Sequence, residues 1–246
     1  MYFCGMILTK TRAIVLHITR FGDDQLIVDT LTEAQGRVSF ICRISHSPKA
    51  KIRPQLFQPL MLLRVEYDYR QRQRLQKLKT VGIEQPLVSI PFDPKKLAVS
   101  LFLSEFLSYV TRQEQRDTPL FTFLHASILW LDTTTRPIGN FHLVLMMRLT
   151  PFVGFFPNME SYREGRWFDL REGTFVTYAP SHPDFLNPTE SRQLVMLMRL
   201  RYETMHLCAM SRTERNHCTE VIIKYYRLHL PEFPELKSLE VLRQLW

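Results

Sequence analysis

Lysine and arginine crowd one stretch of this chain. Arg37, Arg43, Lys49, Lys51, Arg53, Arg64, Arg70, Arg72, Arg74, Lys77 and Lys79 follow one another there, opposed only by Glu66 and Asp68. Cations at that density either track a phosphate backbone by displacing its counterions or form a solvated face that binds nothing. The formal net charge of +8 favours an anionic partner: nucleic acid first, then an acidic protein tail or a membrane surface. No other set of residues has the spacing of a reactive centre. GxGxxG, GxxxxGK[ST], HExxH and GxSxG are all absent, and the glycines are too sparse for a phosphate-cradling loop. Asp23 and Asp24 are adjacent, so in a strand they would point apart rather than share a metal. Asp29 and Glu33 fit a strand and a turn better than metal-assisted hydrolysis. The expectation is a binding protein with no catalytic residue and no cofactor.

The elements around the basic residues are short and β-like. Ala13 to Ile18 alternate, Phe21 to Asp24 reads as a turn, and Gln25 to Leu31 is a second strand with Leu26, Val28 and Thr30 on one face. Gly36 can take positive φ at no steric cost and closes a hairpin to a third strand, Arg37 to Ile44. A basic, proline-broken loop over 45–54 precedes two more strands, Leu60 to Tyr69 and Leu75 to Val81. Five short strands with one long charged loop suggest a closed five-stranded barrel of the OB type. The nucleic-acid candidates are Arg37 and Arg43 on the third strand, Lys49, Lys51 and Arg53 in the loop, and Arg70, Arg72, Arg74 and Lys77 around the last strand pair.

Pro86 and Pro91 make 83–93 a linker, dividing an OB-fold domain at 1–82 from a mainly α-helical domain at 83–246. The fold class is therefore α+β. Asp93-Pro94, Thr118-Pro119, Pro137 and Asn187-Pro188 open helices, the last running from Thr189 to Cys208. Ser211 and Glu214 form a capping box for another helix, and Ser238 caps a short final one. Residues 151–188 are irregular, with a hairpin at Trp167 to Val176 turning near Glu172-Gly173. His125 and His142 are lone histidines on apolar helices and read as core. Cys4, Cys42, Cys208 and Cys218 show no CxxC spacing, which indicates reduced thiols and a cytosolic setting. No apolar run is long enough to span a bilayer, and the short apolar start precedes its basic residues, the wrong order for a secretory signal. The sequence leaves open whether Met1 or Met6 is the start.

Several pieces, taken in order, resemble the RecO family of bacterial recombination mediators. They are Lys10-Thr11-Arg12-Ala13-Ile14-Val15-Leu16-His17, Asp29-Thr30-Leu31-Thr32-Glu33, Gly36-Arg37-Val38, Leu56-Phe57-Gln58-Pro59-Leu60 and the tail Leu236-Lys237-Ser238-Leu239-Glu240-Val241-Leu242. With the helical middle, the resemblance covers nearly the whole chain. It implies a non-enzymatic DNA repair protein, cytoplasmic and nucleoid-associated. Such a protein binds single- and double-stranded DNA, anneals strands and helps load RecA. It implies RecR and the acidic tail of single-strand binding protein as partners, with Arg148, Lys224, Arg227 and Lys237 as candidates for a cationic ring around the tail's pocket. Many relatives carry a four-cysteine zinc site before the hairpin. Here 158–165 holds no cysteine, so no zinc is expected, and Phe155, Phe156, Tyr162, Trp167 and Phe168 are expected to pack in its place. An RNA- or ribosome-associated OB protein and a non-nucleic-acid adaptor are the alternative readings.

Overall fold

The computed structural model describes residues 7–22, 24–43, 52–112 and 115–245. Lys49, Lys51, Met1 and Met6 lie outside them. In chain order the first half forms β1 (Ile7–Phe21), β2 (Gln25–Thr32), β3 (Gly36–Arg43), β4 (Leu62–Tyr69), β5 (Leu75–Gln85), α1 (Pro94–Val110) and α2 (Thr118–Thr133). The second half forms α3 (Phe141–Leu149), β6 (Trp167–Asp169), β7 (Thr174–Val176), β8 (Phe185–Leu186), α4 (Pro188–Arg199), α5 (Arg212–His229) and α6 (Leu239–Arg243).

Strands β1 to β5 close a barrel in the order β1-β2-β3-β5-β4. Leu26, Val28, Thr30, Val38, Phe40, Val65 and Tyr67 fill it, with Phe40 and Tyr67 edge to face at 4.8 Å. Residues 13–16 depart from the expected alternation because all four are buried. One side faces the barrel interior. The other is covered by the Leu60-Met61 segment, which hydrogen-bonds Val15 on both its N–H and C=O, and by α1, whose Ser104 hydroxyl donates to the Leu16 carbonyl at 2.5 Å. The β1–β2 register shifts between Val15 and His17, which accommodates this change of face.

The chain divides into two compact units, 1–134 with 236–245, and 135–235. The barrel is therefore joined in one unit with α1, α2 and α6, rather than separated from every helix at 83–93. Strand β5 runs to Gln85, and the next residues are not a loose linker. The Asp132 carboxylate of α2 accepts from the N–H groups of Val88, Ser89 and Ile90 at 2.8–2.9 Å. Proline breaks regular structure at this place, and hydrogen bonds from α2 hold what remains.

Most helix starts were legible, but the helix expected to open at Pro137 begins at Phe141. Asp93 caps α1 by accepting from Lys95 and Lys96, and the capping boxes of α4 and α5 are both formed, with Asn187–Glu190 and Ser211–Glu214. The α2 cap is Asp117, one residue before the expected Thr118. Helix α4 ends at Arg199, well short of Cys208. Asn140 explains the early end: its amide donates to the carbonyls of Met205 and Cys208, drawing 200–208 out of the helical path. Ser238 makes no cap bond for α6. Its backbone N–H and hydroxyl both donate to Glu105 of α1 instead.

In the second unit, β6 pairs β7 and β8 in a small antiparallel sheet. Among the described residues no group of three or more His, Cys, Asp or Glu converges as a metal site. Aromatic contacts organise the region. Phe155 packs on Tyr225, Tyr226 and His229, Tyr162 and Phe168 pack on Phe175, and Trp167 packs on Phe185. Phe156 is 52% exposed and takes no part in that core, contrary to expectation. The hairpin turns at Gly173, whose φ of +62° is left-handed and where an added Cβ would fall 2.8 Å from the Tyr225 hydroxyl. Gly173→Ala is expected to cost about 2–3 kcal/mol from the left-handed backbone and the displaced Tyr225–Phe155 hydrogen bond. That is a fall in Tm of roughly 5–10 °C by circular dichroism, partly recovered in Gly173→Ala/Tyr225→Phe. An unchanged Tm would show that the turn relaxes freely.

Candidate nucleic-acid interface

Strand pairing sets out one outward face of the barrel in three rows. Residues opposite one another on adjacent strands point to the same side. The first row is His17, Asp29, Ser39 and Leu75; the second is Thr19, Ile27, Ile41 and Lys77; the third is Phe21, Gln25 and Arg43. All of these are exposed or half-buried. The face spans the second half of β1, β2, β3 and the start of β5, the region through which OB folds bind oligonucleotides.

The cations expected on this face meet different fates. Arg43 ends β3 with its side chain 82% exposed and a 2.5 Å contact to Asp24. Surface ion pairs of that kind contribute little, so Arg43 can exchange Asp24 for a phosphate. Lys77 lies opposite Ile41, on an exposed position of β5. Arg70, Arg72 and Arg74 occupy the β4–β5 turn, where all are exposed. That turn is not a loose tip. The buried Gln76 donates from its side-chain amide to the carbonyls of Arg70 at 2.9 Å and Gln73 at 2.6 Å, and accepts from the Arg70 N–H at 2.9 Å. One glutamine thus fixes the backbone that carries three arginines. Arg53 is exposed just before a short 3-10 turn, Pro54–Leu56.

Arg37 differs. Its side chain is only 14% exposed, pairs with Asp29 at 3.2 Å and donates to the Ser108 carbonyl of α1 at 3.2 Å. Burial pushes its guanidinium below the ordinary arginine pKa, against the attraction of Asp29. Arg37 therefore joins the barrel to α1 and neutralises the one carboxylate in the middle of the face, rather than projecting to a ligand.

The expected tail-binding ring is divided between the two units. Lys237 belongs with the barrel, where it lines a groove of about 410 Å³ with Ile18, Leu101 and Tyr109. Arg148, Lys224 and Arg227 lie in the other unit. Lys224 is held by Asp184 at 2.8 Å, and Arg227 donates to the Pro234 carbonyl at 3.4 Å. Arg148 is exposed and lies over the Tyr202 ring at 5.7 Å.

Two family models match the chain: Recombination protein O N terminal over residues 6–87, and Recombination protein O C terminal over 91–240. The chain belongs to the RecO family. It is similar to proteins named DNA repair protein RecO from Bacteroides fragilis, 47% identical over 97% of this chain and 99% of the relative, and from Phocaeicola vulgatus, 46% identical over the same shares. A further relative of that name, from Flavobacterium psychrophilum, is 33% identical over 96% of this chain and 98% of the relative.

The residues that carry the RecO resemblance mostly build the fold. Arg12 makes a two-point ion pair to Glu33 at 2.7 and 2.9 Å and lies over the Phe121 ring of α2. That hydrogen-bonded pair holds the Glu33 carboxyl below its ordinary pKa. The Thr32 hydroxyl donates to the Gly36 carbonyl and accepts from the Gln35 N–H, setting the β2–β3 turn in which Gly36 has φ +70°. In the tail, the N–H groups of Lys237 and Ser238 both donate to Glu105. The RecO signature thus marks largely where the barrel meets its helices, while Arg43, Lys77 and the Arg70–Arg74 turn lie outside it. Reading the sequence did not single out Phe21 or Gln76. A large aromatic beside the Gly22 turn was the available signal for Phe21; nothing local signals that Gln76 is buried.

Proposed function

We propose that this chain is a DNA repair protein that acts as a recombination mediator without catalysis. It binds single-stranded DNA on the barrel face, brings complementary strands together and helps load RecA onto strands coated by single-strand binding protein. The observation that carries this reading is the gathering of Arg43, Lys77 and the Gln76-braced Arg70–Arg74 turn around one exposed β face, in a chain whose relatives are named for DNA repair. Two strands held on a cationic surface repel each other less and meet at raised local concentration, which favours pairing. RecR and the acidic tail of single-strand binding protein are its proposed partners, on the strength of family membership. Double-stranded DNA would engage the same cations through its phosphates.

A salt series tests this. Labelled single-stranded DNA is titrated with the wild type and with Arg43→Glu/Arg72→Glu/Arg74→Glu. Each single-strand phosphate contact contributes about −0.7 to the slope of log affinity against log salt. The triple variant is expected to flatten the slope by about 2 units, to weaken binding at low salt and to slow annealing, with unfolding unchanged. Wild-type binding that ignores salt would overturn the reading.

A further inference from the structure

We infer that Phe21 is a base-stacking platform that makes the barrel face select unpaired nucleic acid over duplex. This deepens the single-strand reading above and rests on it. Phe21 ends β1 with 58% of its surface exposed. The pairing register places it in the row of Gln25 and Arg43, so its ring and the exposed Arg43 lie on the same side of the sheet. The next rows continue the apolar surface through Ile27 and Ile41 to Leu75, which is 38% exposed, while Lys77 stands at their edge. Along β3 these rows are two residues apart, so the three rows span about 13 Å along the strands, and the three strand steps from β5 to β1 add about 14 Å across them.

The chemistry of this strip is specific. An apolar patch alone would suit many partners, but here cations flank it, and the carboxylate within it, Asp29, is neutralised by Arg37. A chain of flat apolar groups joined by anions fits that arrangement: bases toward Phe21 and the isoleucines, phosphates toward Arg43, Lys77 and the arginine turn. Every base offers a π face, so such stacking tolerates any sequence. In a duplex the bases are already stacked on one another, and only the phosphates can engage. The strip therefore adds affinity for single strands alone.

The test uses the full chain and three probes: an oligothymidylate, an abasic strand of the same length, and a duplex. Stacking of one base predicts that Phe21→Ala weakens oligothymidylate binding by about 5-fold to 150-fold, with binding to the abasic strand and duplex and the salt slope all unchanged. Phe21→Trp is expected to restore affinity and to show extra fluorescence quenching, relative to wild type, on oligothymidylate but not on the abasic strand. Equal binding by Phe21→Ala and wild type, with the salt slope intact, would overturn the stacking role and leave the cationic face standing. Equal weakening on all three probes would also overturn it, since that marks a structural defect. Loss of salt-dependent binding by the wild type would sink both readings together.

Discussion

Asp132→Ala is expected to lower the unfolding free energy by about 3–5 kcal/mol. Asp132 is only 3% exposed. Its two carboxylate oxygens accept three consecutive backbone N–H groups, those of Val88, Ser89 and Ile90. The Ser89 hydroxyl donates to the Asp132 carbonyl, and buried Lys96 donates to Ser89 Oγ, the Asp132 carbonyl and the Thr134 carbonyl at 2.7–2.9 Å. Removing the carboxylate leaves the three N–H groups of residues 88–90 without their acceptor and Lys96 without the countercharge of Asp132. Burial already pushes Lys96 below the ordinary lysine pKa, with Asp132 and Asp93 opposing that fall. Burial also tends to raise the Asp132 pKa, but the backbone and Ser89 hydrogen bonds outweigh it and hold the carboxyl below the ordinary value. The sign follows. A carboxyl with a lowered folded pKa contributes its full stability above the unfolded value, about 3.9, and loses it as pH falls through the folded value. Urea unfolding is therefore expected to show the Asp132→Ala loss undiminished at pH 7 and shrinking below about pH 4. Asp132→Asn, which keeps one oxygen acceptor, should fall between the two. A loss of under about 1 kcal/mol for the alanine variant would mean that water replaces the carboxylate at residues 88–90.

The barrel and most helix starts were legible because their causes are local. Alternation in 25–31, Gly36 at a hairpin turn, Asp93 before Pro94 and the Ser211–Glu214 box each act within a few residues. What was not legible depends on distant contacts. The 83–93 segment carries two prolines and looks like a boundary, yet a carboxylate more than forty residues on holds it to α2. Helix α4 has apolar residues enough to continue, but Asn140 captures the carbonyls beyond it. Phe155 and Phe156 are identical neighbours, and only one finds the Tyr225–His229 cluster. The site divides in the same way. Charge counting found the arginine turn, but it could not separate Arg37 from Arg43. They lie on the same strand and point to the same side; α1 covers the first and leaves the second open.

That difference gives the second large effect. Arg37→Glu is expected to destabilise the protein by at least about 3 kcal/mol, because it sets a carboxylate beside Asp29 and against the Ser108 carbonyl in a largely buried position. Tested for DNA binding alone, it would imitate the loss of a phosphate contact by unfolding. Arg37→Ala separates the two causes. It removes the donor to Ser108 and leaves Asp29, among the described residues, with the Ser39 hydroxyl and a 3.8 Å approach from His17. Its midpoint in urea is expected to fall, while the salt slope for single-stranded DNA stays at the wild-type value under folding conditions. Arg37→Ala/Asp29→Asn should recover part of the stability, since the two side chains are coupled and their losses will not add. Arg43→Ala is the mirror case: its side chain is exposed, so stability should hold within about 0.5 kcal/mol while the slope falls by about 0.7. If Arg37→Ala instead unfolds at the wild-type midpoint and loses that same 0.7 of slope, then its guanidinium reaches phosphate in solution, and the barrel must part from α1 when DNA binds.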